Sequence, residues 1–127
     1  MGTIKRSIQV IFISAVIFLM LDFIYLTVFK SFFAQIVKKV QGGSAMKFRL
    51  VGAIPCYAFL IFGLNYFILQ KGRSWKDAFL FGLIIYGVYE TTNYTLFYNW
   101  PLSSVLLDTL WGGTVFALTT SITRAIL

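Results

Sequence analysis

The chain has 127 residues, of which 59% are apolar and 12% charged, with eleven Lys and Arg against four acids and a net charge of +7. A soluble domain carries roughly 25% charged residues, so this is the composition of a single-domain integral membrane protein. The absence of histidine excludes Ser-His-Asp and Cys-His catalysis and His-ligated zinc, iron or haem, and the single cysteine, Cys56, excludes an internal disulfide.

A helix needs about 20 residues to cross a hydrocarbon core of about 30 Å. Backbone polar groups in lipid must be satisfied internally, so apolar stretches of that length predict helices. The first span covers residues 7–29, after Lys5-Arg6 and before Lys30. Its basic start would suit a cleaved leader, but the apolar run is too long, carries Asp22 and is followed by no small-residue cleavage site. It is expected to remain. In the connection from Lys30 to Arg49, Phe32, Phe33, Ile36, Val37 and Val40 recur at helical spacing, with Lys38 and Lys39 among them. That pattern suits a short amphipathic helix on the membrane surface as well as a basic loop. Gln41-Gly42-Gly43-Ser44 would end such a helix.

The second span covers 50–70, with Pro55 near its start, where it either kinks the helix or is tolerated. The third covers 78–98. A tight turn at Asn99-Trp100-Pro101 leads to the fourth, 102–122. Trp75 and Trp100 stand where interfacial aromatics belong. The expected architecture is an all-α, multi-pass, integral membrane four-helix bundle with short loops and both termini on one side. Six basic residues on that side face five on the other, which nearly balances the positive-inside rule. Lys5 and Arg6 beside the first span favour cytoplasmic termini. The basic residues collect at helix ends and in loops, so the partner they indicate is a lipid bilayer with anionic headgroups. No soluble basic module remains for nucleic acid.

Three of the four acids, Asp22, Glu90 and Asp108, fall inside the spans. A charged side chain at the bilayer centre costs about 2.5–3.5 kcal/mol on insertion scales, and such residues mark functional sites. At 1.5 Å of rise per residue, Asp22, Tyr57, Asn93 and Asp108 lie about 10–12 Å from the face that carries the first and third connections, and Glu90, counted from Trp100, about 15 Å. Residues three and four apart share a helix face. That adds Tyr25 beside Asp22, Tyr86 and Asn93 beside Glu90, and Ser104, Trp111 and Gly112 beside Asp108. The predicted ligand, proton or cation site is therefore Asp22, Tyr25, Tyr57, Tyr86, Glu90, Asn93, Asp108 and Trp111, turned toward the bundle interior. Gly112 and Gly113 would let helices approach closely there. The spacing of the acids gives no support for a metal ion, and no cofactor is expected.

The segments that carry these residues are Leu21-Asp22-Phe23-Ile24-Tyr25-Leu26, Tyr86-Gly87-Val88-Tyr89-Glu90-Thr91-Thr92-Asn93, Trp100-Pro101-Leu102 and Asp108-Thr109-Leu110-Trp111-Gly112. In them the chain resembles the small predicted membrane proteins grouped as domain-of-unknown-function family 2177. The resemblance covers nearly the whole chain and is densest in its second half. The family pattern tends to have Asp at the position of Glu90 and Trp at that of Tyr25, so here one carboxylate moves by a methylene. The resemblance implies a four-helix membrane fold and no particular activity.

Three functions fit the acids. As interhelical glue they would gain only about 0.6 kcal/mol per contact, which is small against the cost of inserting them. Without a buried Lys or Arg they leave a negative potential that attracts protons or cations, and closely placed carboxylates cannot all ionise. Proton or cation handling, or binding of a small cationic ligand, is the leading reading. A pore would need a homo-oligomer, and Tyr86-Gly87 is not part of a TVGYG-type filter. The alternative is an acid/base enzyme, an isomerase or hydrolase, acting on a lipid or isoprenoid, with the aromatic residues suiting a carbocation-like substrate.

Overall fold

The computed structural model describes residues 2–127, which form helices and turns and contain no strand. Helix α1 (Gly2–Val28) bends at Phe29 into α2 (Lys30–Val40). Helix α3 (Leu50–Leu64) runs on into a π-helical turn, Asn65–Leu69. Helices α4 (Trp75–Leu96) and α5 (Leu102–Ile126) complete the fold.

Thr3–Val28, Leu50–Leu69 and Leu102–Ile126 are long and apolar enough to cross a membrane. Four such spans were expected. The helix meant as the third, α4, has 22 residues and so the length, about 33 Å, but not the apolarity. Its second half carries Glu90, Thr91, Thr92, Asn93 and Thr95.

The connection after α1 is the amphipathic helix, not the loop. In α2 Ile36 is buried and Phe32, Phe33 and Val37 are half-buried, while Lys38 and Lys39 are exposed. Gly42 and Gly43 end it at φ values of +67° and +102°, a region that glycine enters without steric cost. Helix α3 continues unbroken through Pro55.

The closest approach in the fold is between α4 and α5. A Cβ on Gly82 would collide with the carbonyl oxygen of Gly112, and one on Gly112 with the ring of Tyr86; at Gly113 a Cβ would come within 2.8 Å of the Phe79 ring. Glycine is required because backbone meets backbone there, as in close crossings of membrane helices. Toward the end that holds the start of α1, the interior is filled by Phe18, Leu64, Ile68, Ala78, Val115 and Phe116. Phe18 and Phe116 meet edge to face at 5.5 Å. Surrounded by lipid, such a core is held by close packing more than by exclusion of water.

Ser14, Phe18 and Asp22 are spaced by four and so share one face of α1. Ser14 accepts a hydrogen bond from buried Asn65 at 3.0 Å, Phe18 lies in the apolar core, and Asp22 belongs to the polar layer beyond it. The outer surface is a belt of exposed apolar side chains such as Phe12, Phe23, Phe59 and Leu96.

Candidate functional site

Asp22 lies six residues before Val28, Glu90 six before Leu96, and Asp108 six after Leu102. Each carboxylate is thus about 9 Å along its helix from that boundary. The greater depth expected for Glu90 came from counting to Trp100. The helix stops at Leu96, and the residues from Phe97 to Pro101 turn back instead of adding rise.

Asp22 accepts hydrogen bonds from the hydroxyl of Tyr57 on α3 and, at 3.0 Å, from the indole N–H of Trp111 on α5. The Trp111 ring stacks on Tyr25, with centroids 4.5 Å apart and planes 5° from parallel. Tyr25 donates its hydroxyl to Asp108 at 2.9 Å, and Asp108 stands one turn of α5 beyond Ser104. Glu90 accepts from the indole N–H of Trp100 at 2.8 Å and the hydroxyl of Ser104 at 2.9 Å. Three hydrogen-bonded groups, joined by the Tyr25–Trp111 stack and by the shared face of α5, therefore tie α1, α3, α4, α5 and the turn between the last two. The carboxylates bind donors of neutral side chains only. Among the described residues the one ion pair is Arg73–Asp77, near the opposite end of α4.

The three acids differ in access. A cavity of about 480 Å³ is lined by Asp22 and Tyr25 from α1, Tyr57 and Cys56 from α3, Tyr86 and Tyr89 from α4, and Asp108 from α5. Its floor is the buried pair Asp22 and Asp108. Its rim includes exposed Leu26 from α1, Gly52 and Cys56 from α3 and Tyr89 from α4, so the mouth opens between α3 and α4, two helices that barely touch, with α1 at its edge. Glu90 does not line this cavity and is 1% exposed.

Of the predicted residues, Asp22, Tyr25, Tyr57, Tyr86 and Asp108 line the cavity. Trp111 supports it from behind and Glu90 backs Asp108. Asn93 is half-buried one turn beyond Glu90; it lines no part of the cavity and donates to none of the three acids. Trp100 was expected as an interfacial anchor and is instead buried, as a donor to Glu90. Its sequence signal was the proline after it, which forces a sharp return of the chain. The Ser14–Asn65 link between α1 and α3 had no such signal, since a lone Ser and a lone Asn are common in membrane helices.

A family model described as predicted membrane protein (DUF2177) matches residues 7–125. No curated protein matches the chain. No solved structure matches it either.

Proposed function

The chain belongs to the predicted membrane protein family DUF2177, and on that premise we propose that it binds a small cationic amphiphile at Asp22 and Asp108. The observation that carries this reading is a roomy cleft whose floor holds two carboxylates and whose lining contains no Lys or Arg. A negative charge in a low-dielectric site attracts a cation strongly. The mouth between α3 and α4 faces where lipid would lie, so a ligand with an apolar tail reaches the site sideways. Tyr57, Tyr86 and Tyr89 line the cavity, and aromatic rings attract a cationic head. On this reading α4 is the fourth span of a multi-pass protein, since it lies along α5 throughout its length.

Binding is favoured over a through-path by the apolar plug. Phe18, Leu64 and Phe116, none of them exposed, fill the bundle between the acid layer and its far end. Acid/base catalysis on a lipid is the second reading, favoured by a further carboxyl, Glu90, held by Ser104 one turn of α5 from Asp108.

The test uses the full chain in phosphatidylcholine nanodiscs, titrated with dodecylammonium or dodecanol while its melting temperature is followed. Dodecylammonium is expected to stabilise the wild type, dodecanol to have little effect, and Asp22→Asn/Asp108→Asn to abolish the difference. Equal stabilisation by both probes would sink the cationic reading. Proton flux in liposomes lost in Asp22→Asn would point to transport instead, and turnover of a lipid extract lost in Asp108→Asn to an enzyme.

A further inference from the structure

A second cavity of about 480 Å³ lies at the other end of the bundle, where the start of α1, the π-helical turn and the end of α5 meet. It holds the opposite charge. Arg6 and Arg124 line it, and neither guanidinium is paired with a carboxylate among the described residues. Guanidinium groups match the oxygens of phosphate in bidentate fashion.

A second observation is independent of the arginines. Thr123 lines the same pocket and is 1% exposed, yet its hydroxyl has no hydrogen-bond partner. Thr114 and Thr120 on the same helix donate theirs to the carbonyls of Leu110 and Phe116, both at 2.8 Å; Thr109 and Thr119 share the unpartnered state, and of these three only Thr123 lines this pocket. A buried hydroxyl without a partner costs free energy, and a ligand oxygen that reaches the Thr123 hydroxyl would offset that cost.

We infer that this pocket binds a phosphate-bearing anion, the headgroup of an anionic phospholipid. The lipid source follows from the surroundings. Val10 and Leu69 give the pocket an apolar floor, and Ile4, Ile8 and Ile126 beside it are exposed, so acyl chains can continue from the pocket along the helices. Lys71, 4.5 Å from the centroid of the Tyr66 ring, and exposed Trp75 are side chains suited to the headgroup level at this end. Basic pockets between membrane helices bind anionic headgroups in this way. The site is separate from the acid cleft and does not depend on the function proposed for it.

The full chain in detergent, loaded with phosphatidylglycerol, is examined by native mass spectrometry for the lipid it retains. Arg6→Gln/Arg124→Gln is expected to weaken retention roughly tenfold or more. Thr123→Val, nearly the same shape, is expected to weaken it about threefold or more. Lys38→Gln/Lys39→Gln removes the same charge from α2 and is expected to change nothing. Melting temperatures in phosphatidylcholine nanodiscs identify variants that have lost the fold; Thr123→Val then carries the test, since its shape is kept. Wild-type retention in folded Thr123→Val overturns the site, and so does an equal loss in Lys38→Gln/Lys39→Gln, which would mean general membrane electrostatics. Inorganic phosphate that stabilises the protein as much as phosphatidylglycerol does overturns the lipid assignment.

Discussion

Helix α4 has two neighbours across which a carboxylate could be reached, and it treats them in opposite ways. Against α5 the seam is so close that Gly82 and Gly112 can carry no side chain. Against α3 there is scarcely a seam, and a cleft opens. Glu90 lies over the tight seam, sealed by Trp100 and Ser104. Asp22 and Asp108 lie at the floor of the open one. All three acids stand at the same height on their helices, so depth in the membrane does not distinguish a structural carboxylate from an accessible one. Helix spacing does.

The largest effect is expected from breaking the tight seam. Gly112→Val drives methyl groups into the Tyr86 ring, and overpacking of this kind costs about 3 kcal/mol or more. A melting temperature in detergent unchanged from wild type would contradict the geometry of the seam. Next comes Glu90→Ala, which leaves the Trp100 and Ser104 donors buried without an acceptor, at about 1–3 kcal/mol each. Glu90→Gln keeps an acceptor and should restore most of that loss in the same measurement. If Gln were as damaging as Ala, the charge and not the hydrogen bonding of Glu90 would be what matters.

Asp22→Asn probes the open seam. Trp111 and Tyr57 donate to different oxygens of the carboxylate; in the amide the remaining oxygen accepts from Trp111 and the Tyr57 hydroxyl turns to accept from the amide N–H, so the melting temperature should move little, while dodecylammonium binding weakens about tenfold, the equivalent of about 1.4 kcal/mol. An Asp22→Asn variant that melts far below wild type yet binds normally would reverse the roles given to the two seams. The smallest effect is expected from Tyr25→Phe. It removes one hydrogen bond to Asp108, at about 1 kcal/mol, and leaves the ring stacked on Trp111. Stability measured against the Asp108→Asn background should then show the loss partly cancelled, as coupled neighbours do.

Much of this was legible in the chain itself. Helical content, the approximate bounds of α1, α3 and α5 and the clustering of Asp22, Tyr57 and Asp108 all follow from apolar run length and residue spacing, whereas at α2 the same spacing left an amphipathic helix and a basic loop open. The glycine seam was readable at Gly112 and Gly113, though its partner Gly82 was not, because spacing within one helix says nothing about which residue of another helix will face it. Trp100 was misread for a related reason. Near a span end an indole suits the interface, and only the path of the turn brings its N–H to Glu90. Asn93 shares a face with Glu90 on α4, but that face continues past the cavity.

What the sequence determines alone is therefore one-dimensional: which segments are apolar enough for lipid, and how far along each helix a polar side chain stands. Those quantities depend only on composition and on the fixed rise of the α-helix. Which of the three acids is sealed and which open, and that two arginines and an unpartnered threonine close around a pocket at the far end, depends on helix rotation and separation. Those are set by side-chain fit between helices, and no residue count along a single helix contains them.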